Sequence, residues 1–537
     1  MLLPHARPMQ AFASTIAAAA LALTLALTLA LPPAMATTHA ADTPSLPELP
    51  DATPEKLPRW RGFNLLECFT LGGFKPFEEK DFRMIRELGF NFVRLPLDYR
   101  IWIRDGDWSR LDEERLKEID KAVEYGRRHN IHVNINFHRA PGYSVNRNPV
   151  EKANIWTEPE TQRICAMHWA AFARRYKGIP NRNLSFNLFN EPDQHVTEAQ
   201  YLAVARLMCE AIRAEDPDRL IIADGLNWGN RPAPALAELR VAQATRGYVP
   251  FTVSHYMAPW VAGTDKLSIP TWPAQRVPAI LHGPHRREAH AALALSGDFP
   301  ADMLLRMHVI QVSSLADLRV RADGKEVFAH RMQPGDGAGE WKKAVYSEAY
   351  KIWQNEYDLN LSATIPAGTK QVQILVTEGD WLRMSEIGLR PRNARTDSPE
   401  HLLKLSPEVS FLPRPEWYNI AYNSKATALE SPFIGGEMHD REWLWRTAVE
   451  PWVAFEKTQR RGVMVGEFGA FNKTPHPVVL QWVEDSLINW KRAGFGWALW
   501  NFRGSFGVLD SGRADVQYED YQGHKLDRRL LEILQKY

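Results

Sequence analysis

Strand-like and helix-like stretches alternate along this chain at the interval of a βα unit, and several of the strand-like runs end on a polar or charged residue. The rhythm breaks once, for about two hundred residues, which is far longer than a βαβ crossover. These observations predict an α/β chain: a barrel of parallel strands ringed by helices, with a second, β-rich domain inserted between the sixth and seventh strands. In such a barrel the loops at the C-terminal rim converge on a substrate while the strands hold their ends rigid. The residues that close each strand are therefore the candidates for chemistry.

The elements follow in order from Trp60. Residues 61–69, RGFNLLECF, form the first strand, and 77–89 carry the i, i+3, i+4 apolar spacing of the first helix. GFNFVRLPLDYRIW contains the second strand, ending on Arg94, Pro96 and Asp98, and 112–129 form an amphipathic helix. IHVNINFHRAPG is the third strand, ending on His138, and 157–176 the third helix. The fourth strand, in LSFNLFNEPD (184–193), alternates Leu184, Phe186 and Leu188 before stopping on Asn190, Glu191 and Pro192. A helix over 197–214 leads to RLIIADG, the fifth strand, ending on Asp224. YVPFTVSHYMAP is read as the sixth strand, with His255 and Tyr256 at its tip.

From about residue 296 the pattern changes to short alternating runs, with Asp323-Gly324 as a hairpin turn. This predicts a small β-sandwich, bounded at 264–412, that is either of the kind that serves as an accessory carbohydrate-binding module or a wall that shapes the cleft. Trp341, Trp353 and Trp381 are candidates for a sugar-stacking face or for its core. The seventh strand, Val463 to Val465 and on to Glu467, follows a helical pattern from Glu437. A helix over 477–493, an eighth strand in GFGWALWNFRGSFG with Trp500 at its tip, and a terminal helix complete the barrel, its first part spanning 57–263 and its second 413–537.

The remaining composition narrows the function. With 65 Lys and Arg against 64 Asp and Glu the net charge is +1, and basic residues form no runs, so a nucleic-acid partner gains no support. Nineteen tryptophans, many near predicted strand ends, lean toward binding the flat faces of sugars. Arg7, an apolar run over 17–31 and Pro32-Pro33-Ala34-Met35-Ala36 stand in the order of a signal peptide. Residues 1–36 are expected to direct export, to a secreted or periplasmic location, and 37–56, rich in Pro, Ala and Thr, to form a linker. No later segment predicts a membrane span. Cys68, Cys165 and Cys209 are too few for a disulfide framework.

Glu191 and Glu467, at two strand tips, suggest paired acid and base work, and glycoside hydrolysis needs such a pair. One carboxyl protonates the leaving oxygen; the other attacks the anomeric carbon or activates a water. Here the chain resembles the clan of (β/α)8 TIM-barrel glycoside hydrolases that contains the family 5 cellulases. In them the acid/base glutamate lies in Asn-Glu-Pro on strand 4 and the nucleophile ends strand 7. The resemblance covers nearly all of the chain except the insertion, and Arg94, His138, Asn190, Glu191, His255, Tyr256, Glu467 and Trp500 match the residue types expected at those tips.

It implies a secreted enzyme that cleaves a β-linked glucan with retention, Glu467 forming a glycosyl ester and Glu191 serving first as acid and then as base. Arg94 would keep Glu467 ionised, and Tyr256 would donate its hydroxyl to the same carboxylate. His138 and His255 would bond sugar hydroxyls or Glu191, Asn190 the 2-hydroxyl, and Trp500 would stack beneath the sugar. The alternatives are a β-mannanase, a β-1,3-glucanase or exo-β-glucosidase, or a catalytically silent polysaccharide-binding protein. Asp98, Tyr99, Trp102, Trp228 and Trp260 are further candidates for subsites, and Asp510, Arg513, Asp515 and Glu519 bind hydroxyls or form a salt-bridged loop. No metal or other cofactor is called for: His132 with His138, and His282 with His285, lack ligand spacing.

Overall fold

The computed structural model describes residues 48–146, 149–285, 292–395, 399–406, 417–426 and 431–537. The signal sequence expected over 1–36 lies outside them. Eight strands form the barrel: β1 Arg61–Asn64, β2 Phe92–Asp98, β3 His132–Ala140, β4 Leu184–Asn187, β5 Ile221–Asp224, β6 Ala242–Gly247, β7 Val463–Phe468 and β8 Gly496–Leu499. Every neighbouring pair is parallel, and β8 pairs with β1, so the sheet is closed. All residues of β2 and β3 are buried, as a sheet covered on both faces requires.

The outer ring includes α1 Glu79–Glu87, α2 Glu113–Arg128, α3 Pro159–Arg175 and α4 Glu198–Glu215. Their starts are written locally. Asp112 accepts from the amides of Glu114 and Arg115, and Thr197 and Gln200 form a reciprocal capping box. The floor of the barrel is filled by Trp60, Phe92, Ile222, Ala242, Ala244, Met464 and Ala498. The ring of His132 stacks on Trp60 at 3.9 Å. Of the stretch expected as a linker, Leu49 and Ala52 are buried, Ala52 against this floor cluster. Cys68, Cys165 and Cys209 are buried thiols.

The sixth strand is a correction. It runs through AQATRG at 242–247, not through YVPFTVSHYMAP, whose residues Phe251–Ser254 make one helical turn. Ala, Gln and Thr have little of the apolar bulk by which strands are recognised. At the crowded floor small side chains are what fits: Ala242 and Ala244 are buried, and Gln243 is buried by exchanging two hydrogen bonds with the backbone of Ala233.

Among the described residues, the interruption between β6 and β7 contains a ten-stranded sheet, largely antiparallel, built on two long strands, Met303–Ala322 and Gln371–Pro391. Register shifts near Val309 and Ser313 reset the alternation, so that Leu305, Val309, Val312, Leu318 and Val320 all join one core with Ile374, Leu382 and Ile387. The sheet extends to Phe433–Gly435, beyond the boundary of 412 expected for it. Its stem is a two-stranded ribbon in which Ala274–Arg276 pairs antiparallel with Glu437–His439. The indole of Trp272, just before it, donates to Asp485 at 3.0 Å on the helix His476–Ala493. The three candidate tryptophans part company: Trp381 is buried, Trp341 packs on the core, and Trp353 stands edge-to-face with Tyr346 at 5.0 Å. Among the described residues no helix is long and apolar enough to cross a membrane.

Candidate active site

The C-terminal ends of β2, β4, β5, β6 and β7 bring their polar residues into one buried network. Arg94, in β2 and 1% exposed, spends its guanidinium on four acceptors: Nε donates to Asn187 Oδ1 at 3.0 Å, Nη2 to Asn190 Oδ1 at 3.0 Å, and Nη1 to Asn64 Oδ1 at 3.0 Å and to Glu467 Oε1 at 2.6 Å. Arg94 thus contacts the Glu467 carboxylate directly.

Arg246, at the tip of β6, was not singled out by the sequence reading, because that strand was placed too late in the chain. It is the hub of the site. Its Nε donates to Glu191 Oε1 at 2.8 Å, and its Nη2 donates to Asn190 Oδ1 at 2.9 Å and to Asp224 Oδ2, and lies 3.3 Å from Glu467 Oε1. Both glutamates therefore touch one guanidinium, although they lie far apart in the sequence. The recoverable signal is a basic residue closing a short run of small residues before Gly247.

Glu191 is held in an unusual conformation. Its φ is +51°, a left-handed region that costs a non-glycine residue roughly 1–3 kcal/mol. Two clamps maintain it: its amide donates to Asp224 Oδ2 at 2.9 Å, and its carbonyl accepts from the Tyr143 hydroxyl at 2.7 Å. Burial, followed by the charge of Glu467, pushes its carboxyl up to about 7, against the opposing pull of Arg246. At 16% exposed, its side chain is the more open of the pair, with that of Glu467 at 3%.

The hydroxyl that meets Glu467 comes from Tyr248, which donates to Oε2 at 3.1 Å. This corrects the assignment to Tyr256. Tyr256 and His255 follow the helical turn after β6, and among the described residues no hydrogen bond joins either to the glutamates. His255 stacks on Phe251 at 4.2 Å, holds Ser254 Oγ at 2.9 Å through Nδ1, and lies 5.2 Å from the ring of Tyr248; burial depresses its imidazole to about 4. It supports Tyr248 and stands one residue removed from the carboxylates.

His138 does reach the site. Its Nδ1 stands 4.0 Å from Glu467 Oε1, and its ring packs against Phe69 at 4.8 Å and Trp500 at 5.5 Å. Burial, followed by the charges of Arg94, Arg246 and Arg139, holds it neutral, well below the usual histidine range. Trp500, half-buried, follows β8 and is steadied edge-on by Phe69 at 5.5 Å. Asn190 has its Oδ1 taken by both arginines, while its buried Nδ2 has no partner among the described residues and is the donor it can offer a ligand.

The weaker candidates are mostly structural. Asp98 binds Arg100, the Tyr99 hydroxyl donates to Glu151, and Trp102 is buried with its indole on His168. Asp510 holds His524, Arg513 donates to the carbonyls of Ala470 and Thr474, Asp515 accepts from the amide of His476, and Glu519 pairs with Arg528. That loop is polar because it fastens itself. Trp260 is half-exposed, edge-on to Phe471 at 4.9 Å.

Residues 51–272 match the cellulase family, glycosyl hydrolase family 5. The chain is 30% identical to Endoglucanase C of Acetivibrio thermocellus over 190 residues, which are 34% of this chain and 53% of that protein. It is 28% identical to Cellodextrinase A of Ruminococcus flavefaciens over 191 residues, 34% of this chain and 54% of that one. The chain thus spans about half the length of the curated relatives it matches. A crystal structure described as that of a glycoside hydrolase superposes with a TM-score of 0.56 at 26% identity, covering 89% of this chain and 99% of the other.

Proposed function

We propose that this chain is an exported glycoside hydrolase that cleaves a β-linked glucan, with β-1,4 linkage the first choice, by double displacement. The observation that carries the reading is the pair of carboxylates on the Arg246 guanidinium, one of them gripped by Arg94 and Tyr248 and the other pushed up to about 7. Two like groups are thereby set to opposite tasks. The family 5 likeness of residues 51–272 supports the same chemistry.

In the first step a carboxylate oxygen of Glu467 attacks the anomeric carbon while the bond to the leaving oxygen breaks, and that oxygen takes the proton of Glu191. The product is a glycosyl ester on Glu467. Glu191, now ionised, removes a proton from water, whose oxygen attacks the anomeric carbon and releases Glu467. Arg246 lies between the two and stabilises whichever carboxylate is charged. Asn190 Nδ2 donates to the 2-hydroxyl, and Trp500 lies beneath the ring. The inserted domain is proposed to bind polysaccharide, with the Tyr346 and Trp353 pair as its aromatic contact.

A panel of β-1,4-glucan, β-1,3-glucan, mannan and xylan, with products separated by chromatography and the first-formed anomer read by NMR, tests this. A β-glucan is expected to be cut with the β-anomer appearing first. No hydrolysis of any β-glycan, or the α-anomer appearing first, overturns it.

The pH dependence follows from Glu191. Because its pKa is raised, the acid form that the first step needs persists to higher pH and is lost above about 7. kcat/KM is expected to fall as pH rises through that value. Glu191→Gln should lower kcat/KM on substrates with poor leaving groups by at least about 100-fold and abolish this alkaline limb.

A further inference from the structure

Glu191 is aimed from behind, through its own backbone. The residue that follows it, Pro192, has no amide with which to secure the turn. The φ of +51° at Glu191 lies where a residue with a side chain stays only if its surroundings hold it. Each polar backbone group from the Glu191 amide to the Asp193 amide is held from outside. Asp224 Oδ2 accepts from the Glu191 amide at 2.9 Å, and the Pro192 carbonyl accepts from the Trp228 amide at 2.9 Å. The other two meet on one atom: the Tyr143 hydroxyl donates to the Glu191 carbonyl at 2.7 Å and accepts from the Asp193 amide at 3.1 Å. A single oxygen thus bridges the peptide groups on either side of Pro192.

Tyr143 is itself fixed before any substrate arrives. Its strand, Tyr143–Ser144, folds back antiparallel on Arg139–Ala140 of β3, after a turn at Gly142 with φ of +80°. A Cβ there would collide with Thr161 Cγ2 and stand 2.9 Å from the Ile155 amide nitrogen, so glycine lets the hairpin lie this close. Tyr143 is 7% exposed, and its ring meets Trp156 edge-to-face at 5.0 Å. The one proton of its hydroxyl goes to the Glu191 carbonyl, so Tyr143 supplies none to the carboxyl or to a substrate. Arg246 takes Oε1 of the carboxyl; it grips the far end of the side chain and leaves the Cα to the bridge.

We infer that Tyr143 is a positioning residue for protonation of the leaving oxygen: acting through the backbone of Glu191, it fixes where the acid carboxyl hangs. The inference rests on the reading of Glu191 as acid and base. Without the hydroxyl, the peptide groups flanking Pro192 each lose a partner, and the turn is free to leave the left-handed region and carry the carboxyl with it. A displacement of about 1 Å at a reacting group can cost about 100-fold in rate. Glu467 is spared, because it is carried in the ladder between β7 and β6. The loss falls on the proton transfer and not on the attack.

The test compares β-1,4-linked glucose oligomers, whose leaving oxygen needs the proton, with dinitrophenyl β-cellobioside, whose leaving group departs as a stable anion. Tyr143→Phe keeps the ring and removes only the hydroxyl. It should lower kcat/KM on the oligomers by about tenfold or more and on the aryl substrate by no more than about twofold, with the alkaline limb on the oligomers retained because Glu191 is still the acid. Trp156→Leu, at a half-buried position, keeps the hydroxyl but unlocks the ring, and should move the ratio of the two substrates in the same direction. It decides the matter if the thermal midpoint shows Tyr143→Phe to be unfolded. An unchanged ratio, whether from no loss or from equal loss on both substrates, marks a residue that is merely structural and overturns the inference. Glu191→Gln, measured alongside, separates this from the underlying reading: if that variant too loses equally on both substrates, it is the assignment of Glu191 that falls.

Discussion

Replacing Glu467 by alanine is expected to lower kcat by about 10⁴-fold or more, the scale on which the loss of a covalent nucleophile acts. The chain should remain folded, because Asp224 stays in place as a counter-charge for Arg94 and Arg246. The alanine leaves room next to the anomeric carbon, so a small external anion such as azide should restore part of the turnover with an activated aryl glycoside. The rescued product should be the glycosyl azide of inverted configuration, read by NMR. A variant with near-normal hydrolysis, or rescue with retained configuration, would remove Glu467 from the nucleophile's role.

The second large effect is expected at Arg246. Arg246→Met keeps the length of the side chain but withdraws a cation that touches Glu191, Glu467 and Asp224 together. Glu467 and Asp224 keep Arg94, but Glu191 loses its contact with a guanidinium; a buried carboxylate so left typically costs about 3–5 kcal/mol, which should appear as a fall in the urea midpoint at neutral pH. The deficit should shrink in mild acid, where protonation relieves the uncompensated charge. Activity should change in a second, separable way. Arg246 opposes the upward pressure on Glu191, so whatever turnover survives should hold its alkaline limb to a higher pH than the wild type. An unchanged limb would mean that Arg246 does not tune Glu191.

The sequence carried the strand tips wherever apolar alternation led up to them. Leu184, Phe186 and Leu188 announce β4 and so place Asn190 and Glu191; Val463 to Val465 do the same for Glu467. Arg94, His138 and Trp500 were found in the same way, and all of them meet in one network. The reading failed where the physical demand ran against the pattern. β6 crosses the floor of the barrel, where Ala242 and Ala244 share a cluster with the bulk of Trp60 and Phe92. It therefore reads as a weak strand, and the aromatic and β-branched run after it drew the assignment eight residues downstream. That single shift hid Arg246 and gave the role of Tyr248 to Tyr256.

The ribbon of 274–276 and 437–439 has a consequence for how the molecule is made. As the polypeptide leaves the ribosome, six staves of the barrel are complete long before the last two exist, and the open seam must wait while the whole intervening sheet is synthesised. Closing so wide a gap at random would be entropically unfavourable, though the penalty grows only slowly with length. A sheet with its own core can condense in that interval, and zipping the ribbon then returns the chain to within one strand's width of where it left. The late staves are delivered to the seam they must fill, so the ribbon serves as the hinge pin on which the wall is shut.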